Sequence, residues 1–321
     1  MKAFIAATLA VAVSAHQIEQ KFFEYIVMHT KEYKTIDEYN FRKALFAATD
    51  ARIEIENAEQ VNYKVGHNQF SDMTRSEFTA MLGYMPNMHH GHHQEATESV
   101  NGSSNASPID WRTLGAVTPV KDQGQCGSCW AFSSTGAAEG AHQIMSGDLL
   151  SFSEQQLVDC VKLSFGCNGG NQSTAFNYWK THMLTSEASY GYTGTTDSCA
   201  YDESSSYDFN TSGFTKVTAS DASAMKDALA IGPLSVSIEA DQFCFQMYTS
   251  GVFDNAKCGT TLDHAVLTVG WGNDATAGDY WIVKNSWAAT WGEEGYMRMA
   301  IVDGDGLCGI QMGPLYPNMT A

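Results

Sequence analysis

Positive charge is what this chain has least of: 18 Lys and Arg stand against 36 Asp and Glu in 321 residues, a formal net charge of −18. A protein so short of basic side chains has no electrostatic footprint for phosphates, which excludes a nucleic-acid binder. Proline and glycine, 6 and 28 residues, are near their ordinary share, which excludes a collagen-like or low-complexity chain. Long hydrophobic runs are also lacking. No run beyond the start of the chain approaches the roughly 18 apolar residues of a membrane span. Cysteines number eight, too few for a disulfide-dense miniprotein but enough for a few bridges in a larger secreted protein. What is present is 44% hydrophobic residues, with 7 Trp and 16 Phe. That can bury a substantial core in about two domain-sized units.

Residues 1–15 read as a secretory signal. Lys2 precedes the apolar run Ala3 to Val13, and Val13-Ser14-Ala15 offers small residues for cleavage. The run is too short to cross a bilayer core of about 30 Å at roughly 1.5 Å per residue. Entry into the secretory pathway permits disulfides and fits the Asn-x-Ser/Thr sequons at Asn101, Asn105, Asn171, Asn210 and Asn318.

Residues 16–84 carry helical signals. Glu38, Arg42, Phe46, Ile53 and Asn57 fall along one helical face. The face mixes apolar and polar residues, so spacing alone reads as an amphipathic helix with satisfied polar groups. A linker over 85–105 follows, with His89, His90, His92 and His93 among Ser, Asn, Gly and Glu. It reads as a solvated loop that gains charge below about pH 6.5. It does not read as a metal site, because no Cys or second spaced cluster joins the histidines. In the last block, 106–321, helical patterns around 129–145 and 153–161 precede strand patterns at 234–238, 265–269 and 280–283. Helices first and strands later, without βαβ alternation, predict an α+β fold.

The densest signal is Gln123-Gly-Gln-Cys126-Gly-Ser-Cys129-Trp130. Alone, Cys126-x-x-Cys129 is half a zinc site, a redox pair, or a structural cysteine beside a nucleophile. A second C-x-x-C is missing for zinc, and a βαβ neighbourhood is missing for a redox motif. The third reading requires a distant His and Asn. His264 and Asn285, the latter in Asn285-Ser286-Trp287, stand where they can serve.

Cys126-Gly-Ser-Cys129-Trp130 resembles the signature of papain-like cysteine proteases. The resemblance runs in order through Asp110-Trp111-Arg112, Ser153 to Cys160, Cys167-Asn-Gly-Gly170 and Trp291 to Tyr296. The first block is similar to the inhibitory propeptide of the cathepsin L-like branch. It carries that branch's interrupted helix motif and the motif Gly66-x-Asn68-x-Phe70-x-Asp72. The resemblance implies a two-lobed fold with a helical left lobe, a β-barrel-like right lobe and an active-site cleft between them. It implies a zymogen whose helix face packs on the following loop and holds the propeptide over the cleft.

The same resemblance implies the roles. Cys129 is the nucleophile at a helix N-terminus, paired with His264, and Asn285 orients the imidazole under Trp287. The Gln123 amide and the Cys129 N–H receive the oxyanion. Asp263 and Glu139 are structural neighbours. The implied disulfides are Cys126–Cys167, Cys160–Cys199 and Cys258–Cys308; Cys244 has no counterpart there and reads as a buried, inert thiol, with a second reactive thiol or an intermolecular bridge as the alternative. Substrate backbone pairs with Gly169 and Gly170. The pocket for the second residue before the scissile bond is lined by Gln172, Ser237, Leu262, Ala265, Gly313 and Leu315, and favours an apolar residue.

The short span between Cys160 and Cys167 leaves no room for the loop of a cathepsin B-like dipeptide remover, so an endopeptidase is expected. The expected partners are peptide and protein substrates, its own propeptide and cystatin-like inhibitors. No cofactor, metal or membrane span is expected, and the enzyme should be a monomer in a lysosome-like or digestive compartment or outside the cell. The acidity lies mainly in 106–321, with 9 Lys and Arg against 23 Asp and Glu, which fits an acidic workplace. The competing reading is a protease-like binding protein of little activity.

Overall fold

The computed structural model describes residues 16–86, the backbone of 99–100, and residues 106–320. The signal sequence and most of the linker, its four histidines included, lie outside the described residues; within the linker, 99–100 form a short strand rather than the expected loop. Helix α1 is described over 16–28. Helix α2 (Ile36–Glu59) begins where the Thr35 hydroxyl accepts the Glu38 N–H, a cap typically worth about 1 kcal/mol. Strand β1 (Tyr63–Val65) and the short helix α3 (Arg75–Thr79) complete the leader.

The implied face of α2 meets the loop after it. Arg42 donates two bonds to the Glu77 carboxylate at 2.6 and 2.7 Å and one to the Asp72 carbonyl at 3.0 Å. Phe46 is buried and stacks on His67 at 4.1 Å. Ile53 joins the core with Tyr63 and Val65. The Asn57 amide bonds both the N–H and the C=O of Val65. Glu38 differs: it turns back to the Lys34 N–H and closes the helix start. Asp72 is buried and collects Tyr25, Tyr33 and Lys31. The polar positions are therefore loop anchors, which explains why the stripe is not uniformly apolar.

Short strands β2 (Ser99–Val100) and β3 (Ile109–Asp110) lead into the second block. Helix α4 (Cys129–Ser146) is buried over most of its length, ends on Gly147 in the left-handed conformation, and is followed by α5 (Glu154–Cys160) and α6 (Gln172–Tyr178). These helices enclose Trp130, Phe152, Phe176 and Trp179. Then come β4 (Asn210–Val217), α7 (Ala222–Leu229), β5 (Leu234–Ile238), α8 (Phe243–Gln246) and β6 (Tyr248–Phe253). They are followed by β7 (His264–Asp274), β8 (Gly278–Lys284), β9 (Tyr296–Ala300) and β10 (Leu315–Thr320). The sheet runs β1-β6-β9-β8-β7-β5-β10-β4-β2, with β3 on β7. Strand β1 of the first block is thus an edge strand of the second block's sheet, antiparallel to β6.

Cys126–Cys167, Cys160–Cys199 and Cys258–Cys308 are bonded. Separations of 41, 39 and 50 residues make each worth about 4 kcal/mol by chain entropy. Behind the α4–β7 contact, Lys121 bridges the buried carboxylates of Glu139 and Glu154 at 2.9 and 2.7 Å, and Glu139 also accepts the Thr118 hydroxyl. Glu139 is thereby fully occupied in structure. Ala288 holds a left-handed φ of 59°, a strained position for a side-chain-bearing residue.

Candidate active site

The catalytic candidates come from the starts of two buried elements. Cys129 is the first residue of α4 and His264 the first of β7, while Asn285 follows β8 directly. Ser128, the N-cap, makes no side-chain cap bond, so the positive end of the helix is left to the thiol. Backbone N–H groups of Ala265, Trp130 and, from the leader, Gly83 lie near enough to the Cys129 sulfur to favour its thiolate, against the larger effect of burial.

The His264 Nε2–H donates to Asn285 Oδ1 at 2.9 Å, and His264 Nδ1 has no hydrogen-bond partner. Asn285 Oδ1 can only accept, so it fixes the tautomer and leaves Nδ1 with its lone pair. Trp287 stacks on the imidazole, ring centroids 4.6 Å apart. Burial pushes the Cys129 thiol up to about 12 and the His264 imidazole down to about 4. Under the leader both groups are neutral.

Gln123 is wholly buried. Its Oε1 accepts the Ser286 hydroxyl at 2.6 Å, and its Nε2 donates at 2.8 Å to the carbonyls of Cys126 and Met81. Met81 belongs to the leader. Past it, Gly83 O accepts from Gly170 N, Tyr84 N donates to Asp263 O, and Met85 N donates to Gly170 O, all at 2.8–2.9 Å. The leader is therefore a backbone strap laid through the cleft. Upstream, Gln69 bonds the Trp287 carbonyl, and Phe70 and Phe78 present edges to the Trp287 ring. Gly66 N–H and Asn68 bond the Met247 and Gln246 carbonyls.

Of the expected pocket residues, Gln172 and Ser237 are joined at 3.0 Å, and the buried Tyr84 hydroxyl lies near Ser237 and Asn171. Ala265 lies on the nucleophile through its N–H. A Cβ at Gly169 would come within 2.9 Å of Gly83 O, and one at Gly170 would strike the Trp130 ring. Leu262 packs near Gly309, and Gly313 borders open space. Leu315 sits in the core with Phe176 and Phe214.

Asp263 accepts the Ala240 N–H, and burial with nearby Asp241 and Glu239 raises it to about 7. Cys244 is 6% exposed, beneath Tyr63 and Glu56 of the leader. Residue spacing did not reveal Ser286, Glu77, Met81, Gly83 or Tyr84. Only the strap's path marks the last three, whereas Ser286 sat unnoticed inside the Asn-Ser-Trp motif. Among the described residues no group of His, Cys, Asp and Glu is arranged to hold a metal, and no helix is long and apolar enough to cross a membrane.

A buried cysteine at a helix start, a histidine tautomer set by an asparagine, and a cleft filled by the chain's own leader define a thiol peptidase in its precursor form. The chain belongs to the papain family: the Papain family cysteine protease model matches residues 105–318. It is a cysteine-type endopeptidase made with an inhibitory propeptide, and the Cathepsin propeptide inhibitor domain (I29) model matches residues 22–78. It is 41% identical to cathepsin L of Sarcophaga peregrina over 94% of this chain and 93% of that one. It is also 41% identical to the senescence-specific cysteine protease SAG12 of Arabidopsis thaliana, over 94% and 90%. The structure of digestive procathepsin L 3 from the Tenebrio molitor larval midgut is similar with a TM-score of 0.84 and 36% identity, covering 94% of this chain and 99% of that one.

Proposed function

We propose that peptide hydrolysis proceeds through a Cys129–His264 pair. Removal of the leader lets water back into the cleft, which lowers the thiol pKa and raises that of the imidazole. The proton of Cys129 passes to His264 Nδ1. The thiolate attacks the peptide carbonyl carbon, and the carbonyl electron pair moves onto oxygen, between the Gln123 amide and the Cys129 N–H. His264 returns its proton to the leaving amine as the C–N bond breaks. Water, deprotonated by His264, then cleaves the thioester and frees the acid and the thiol. The observation that carries this reading is the Met81 carbonyl on Gln123 Nε2 at 2.8 Å, with Gly83 O two residues on accepting from Gly170 N: peptide backbone lies where a substrate's would. In a Gln123→Ala enzyme kcat should fall about 10²–10³-fold with little change in KM. An unchanged kcat in steady-state assays would remove Gln123 from the oxyanion site.

The pocket around Gln172 and Ser237 should take a bulky, mainly apolar residue. The seating of the Tyr84 ring supports an aromatic one. Secretory routing to a lysosome-like or digestive compartment fits the working pH inferred from the acidic mature part.

Acid should open the precursor through the leader's own core. Burial lowers the pKa of His29 and His67 below the ordinary 6.5, so the folded leader prefers both neutral. The stability this gives is complete above pH 6.5 and is lost as pH falls from 6.5 toward their lowered values. The Arg42–Glu77 pair is not the trigger, because hydrogen bonding to Arg42 holds Glu77 at about 2. It keeps its charge until far lower pH. His67→Gln should therefore move the midpoint of leader release to lower pH, read by the onset of processing across a pH series. An unmoved midpoint would transfer the trigger elsewhere, with His89, His90, His92 and His93 of the linker the next candidates.

A further inference from the structure

The strap leaves Cys129 toward Gly170 at Tyr84 and Met85, on the side where the acyl part of a substrate pairs. Residues before Met81 therefore cover the opposite side of the nucleophile, where the leaving amine lies. There the leader seats two cations on the enzyme. Arg75 forms an ion pair with Asp241. Arg52 lies over the Phe243 ring, its guanidinium carbon 3.9 Å from the centroid. Both arginines, with Asp241, Gln242 and Phe243, line one groove between leader and enzyme.

Asp241 is held in place from within the enzyme. Gln242 Nε2 donates to Asp241 Oδ1 at 2.7 Å and to Glu239 Oε1 at 2.9 Å. The N–H of Ala240, the residue before Asp241, donates to the carboxylate of Asp263 at 2.8 Å, and Asp263 precedes His264. Asp241 thus adjoins a residue bonded to the neighbour of the catalytic histidine. Among the described ion pairs, Arg75 is the one cation on Asp241, and none falls on Glu239 or Asp263. Departure of the leader strips Asp241 of its partner and leaves the groove with excess negative charge.

We propose that Asp241, with the ring of Phe243, forms a leaving-side subsite that selects an arginine within the first three residues after the scissile bond. The subsite rests on the Cys129–His264 reading, because that pair sets which side of the cleft is which. Arginine is preferred to lysine, since a planar guanidinium can pair with the carboxylate and stack on the ring together. The Asp241 side chain is 21% exposed, so the preference is modest and salt-sensitive, about three- to fivefold in kcat/KM at low ionic strength.

The test uses acid-activated enzyme and internally quenched peptides that share one acyl half. They differ in carrying Arg, Lys, Gln or Glu at the first, second or third leaving-side position. The ratio of kcat/KM for Arg over Gln, measured within one enzyme, cancels any general change in activity. At one position it should be about three- to fivefold in the wild type, shrink in 0.5 M salt, fall to about one in Asp241→Asn, and invert toward Glu in Asp241→Lys. A ratio of one in the wild type, or one that survives both substitutions, overturns the subsite. An acyl-side coumarin amide, with no residue on the leaving side, separates this from failure of the catalytic reading. If wild type cleaves it without Arg selection, only the subsite falls. If the amide and the peptides are untouched and Cys129 resists thiol reagents, the catalytic assignment falls.

Discussion

A Cys129→Ala enzyme is expected to lose at least about four orders of magnitude in kcat/KM, a loss of the size seen when a nucleophile of a coupled catalytic unit is removed. The sulfur belongs to the first residue of α4, at the positive end of a buried helix. Without it His264 Nδ1 has no proton to take, and the Gln123 donor has no tetrahedral oxygen to receive. The substitution should leave the fold intact, because Cys129 is one of two free cysteines and joins no disulfide. The leader should still dock, since its strap is also held at Gly170, Asp263 and Trp287. The measurement is kcat/KM on a peptide substrate after the leader has been removed by another protease. Activity within tenfold of wild type would move the nucleophile elsewhere, and Cys244 is the other free thiol.

The second large effect is on inhibition. An ideal Cβ at Gly83 would lie 1.8 Å from Gly127 O and 2.3 Å from its carbonyl carbon. The obstacle is enzyme backbone, which cannot rotate aside as a side chain would. Gly83→Ala should therefore lift the strap and weaken together the Met81 bond to Gln123, the Gly83 contact on Cys129 and the pairing with Gly170. Overpacking of this kind typically costs about 1–3 kcal/mol, which converts to roughly 5- to 150-fold. The unprocessed precursor at neutral pH should then be alkylated at Cys129 faster by about that factor. An unchanged alkylation rate would mean that the shield is the body of the leader and not the strap. Wild-type leader anchors at Gly66, Asn68 and Gln69 are untouched by the change. The variant therefore separates occupation of the cleft from docking of the leader.

These two variants also mark where the sequence was legible. Cys129, His264, Asn285 and Gln123 stand in local motifs whose spacing survives any reading of the tertiary fold. Cysteine pairing matched the resemblance as well, for all three bridges. The α2 stripe was harder. Spacing alone gives Arg42 and Asn57 only as satisfied polar groups, and the resemblance implies only that their face packs on the next loop; their partners, Glu77, Asp72 and Val65, are brought up by the chain's return. Glu38 ended as a helix-start residue, because its nearest unsatisfied donor was the local Lys34 N–H. Leu315 was expected at a pocket wall and lies instead in a core cluster, since β10 is enclosed between β4 and β5.

What the sequence by itself determined is the chemistry: which thiol, imidazole and amides can act, and that a leader accompanies them. Those choices depend on residue type and order along the chain, which the motifs carry. The tertiary structure alone decided which leader atoms enter the cleft, that the thiol and imidazole are held neutral there, and that Asp241 meets a leader arginine. Each of these is set by burial and by contacts between residues from about forty to nearly two hundred positions apart, and no local pattern encodes either.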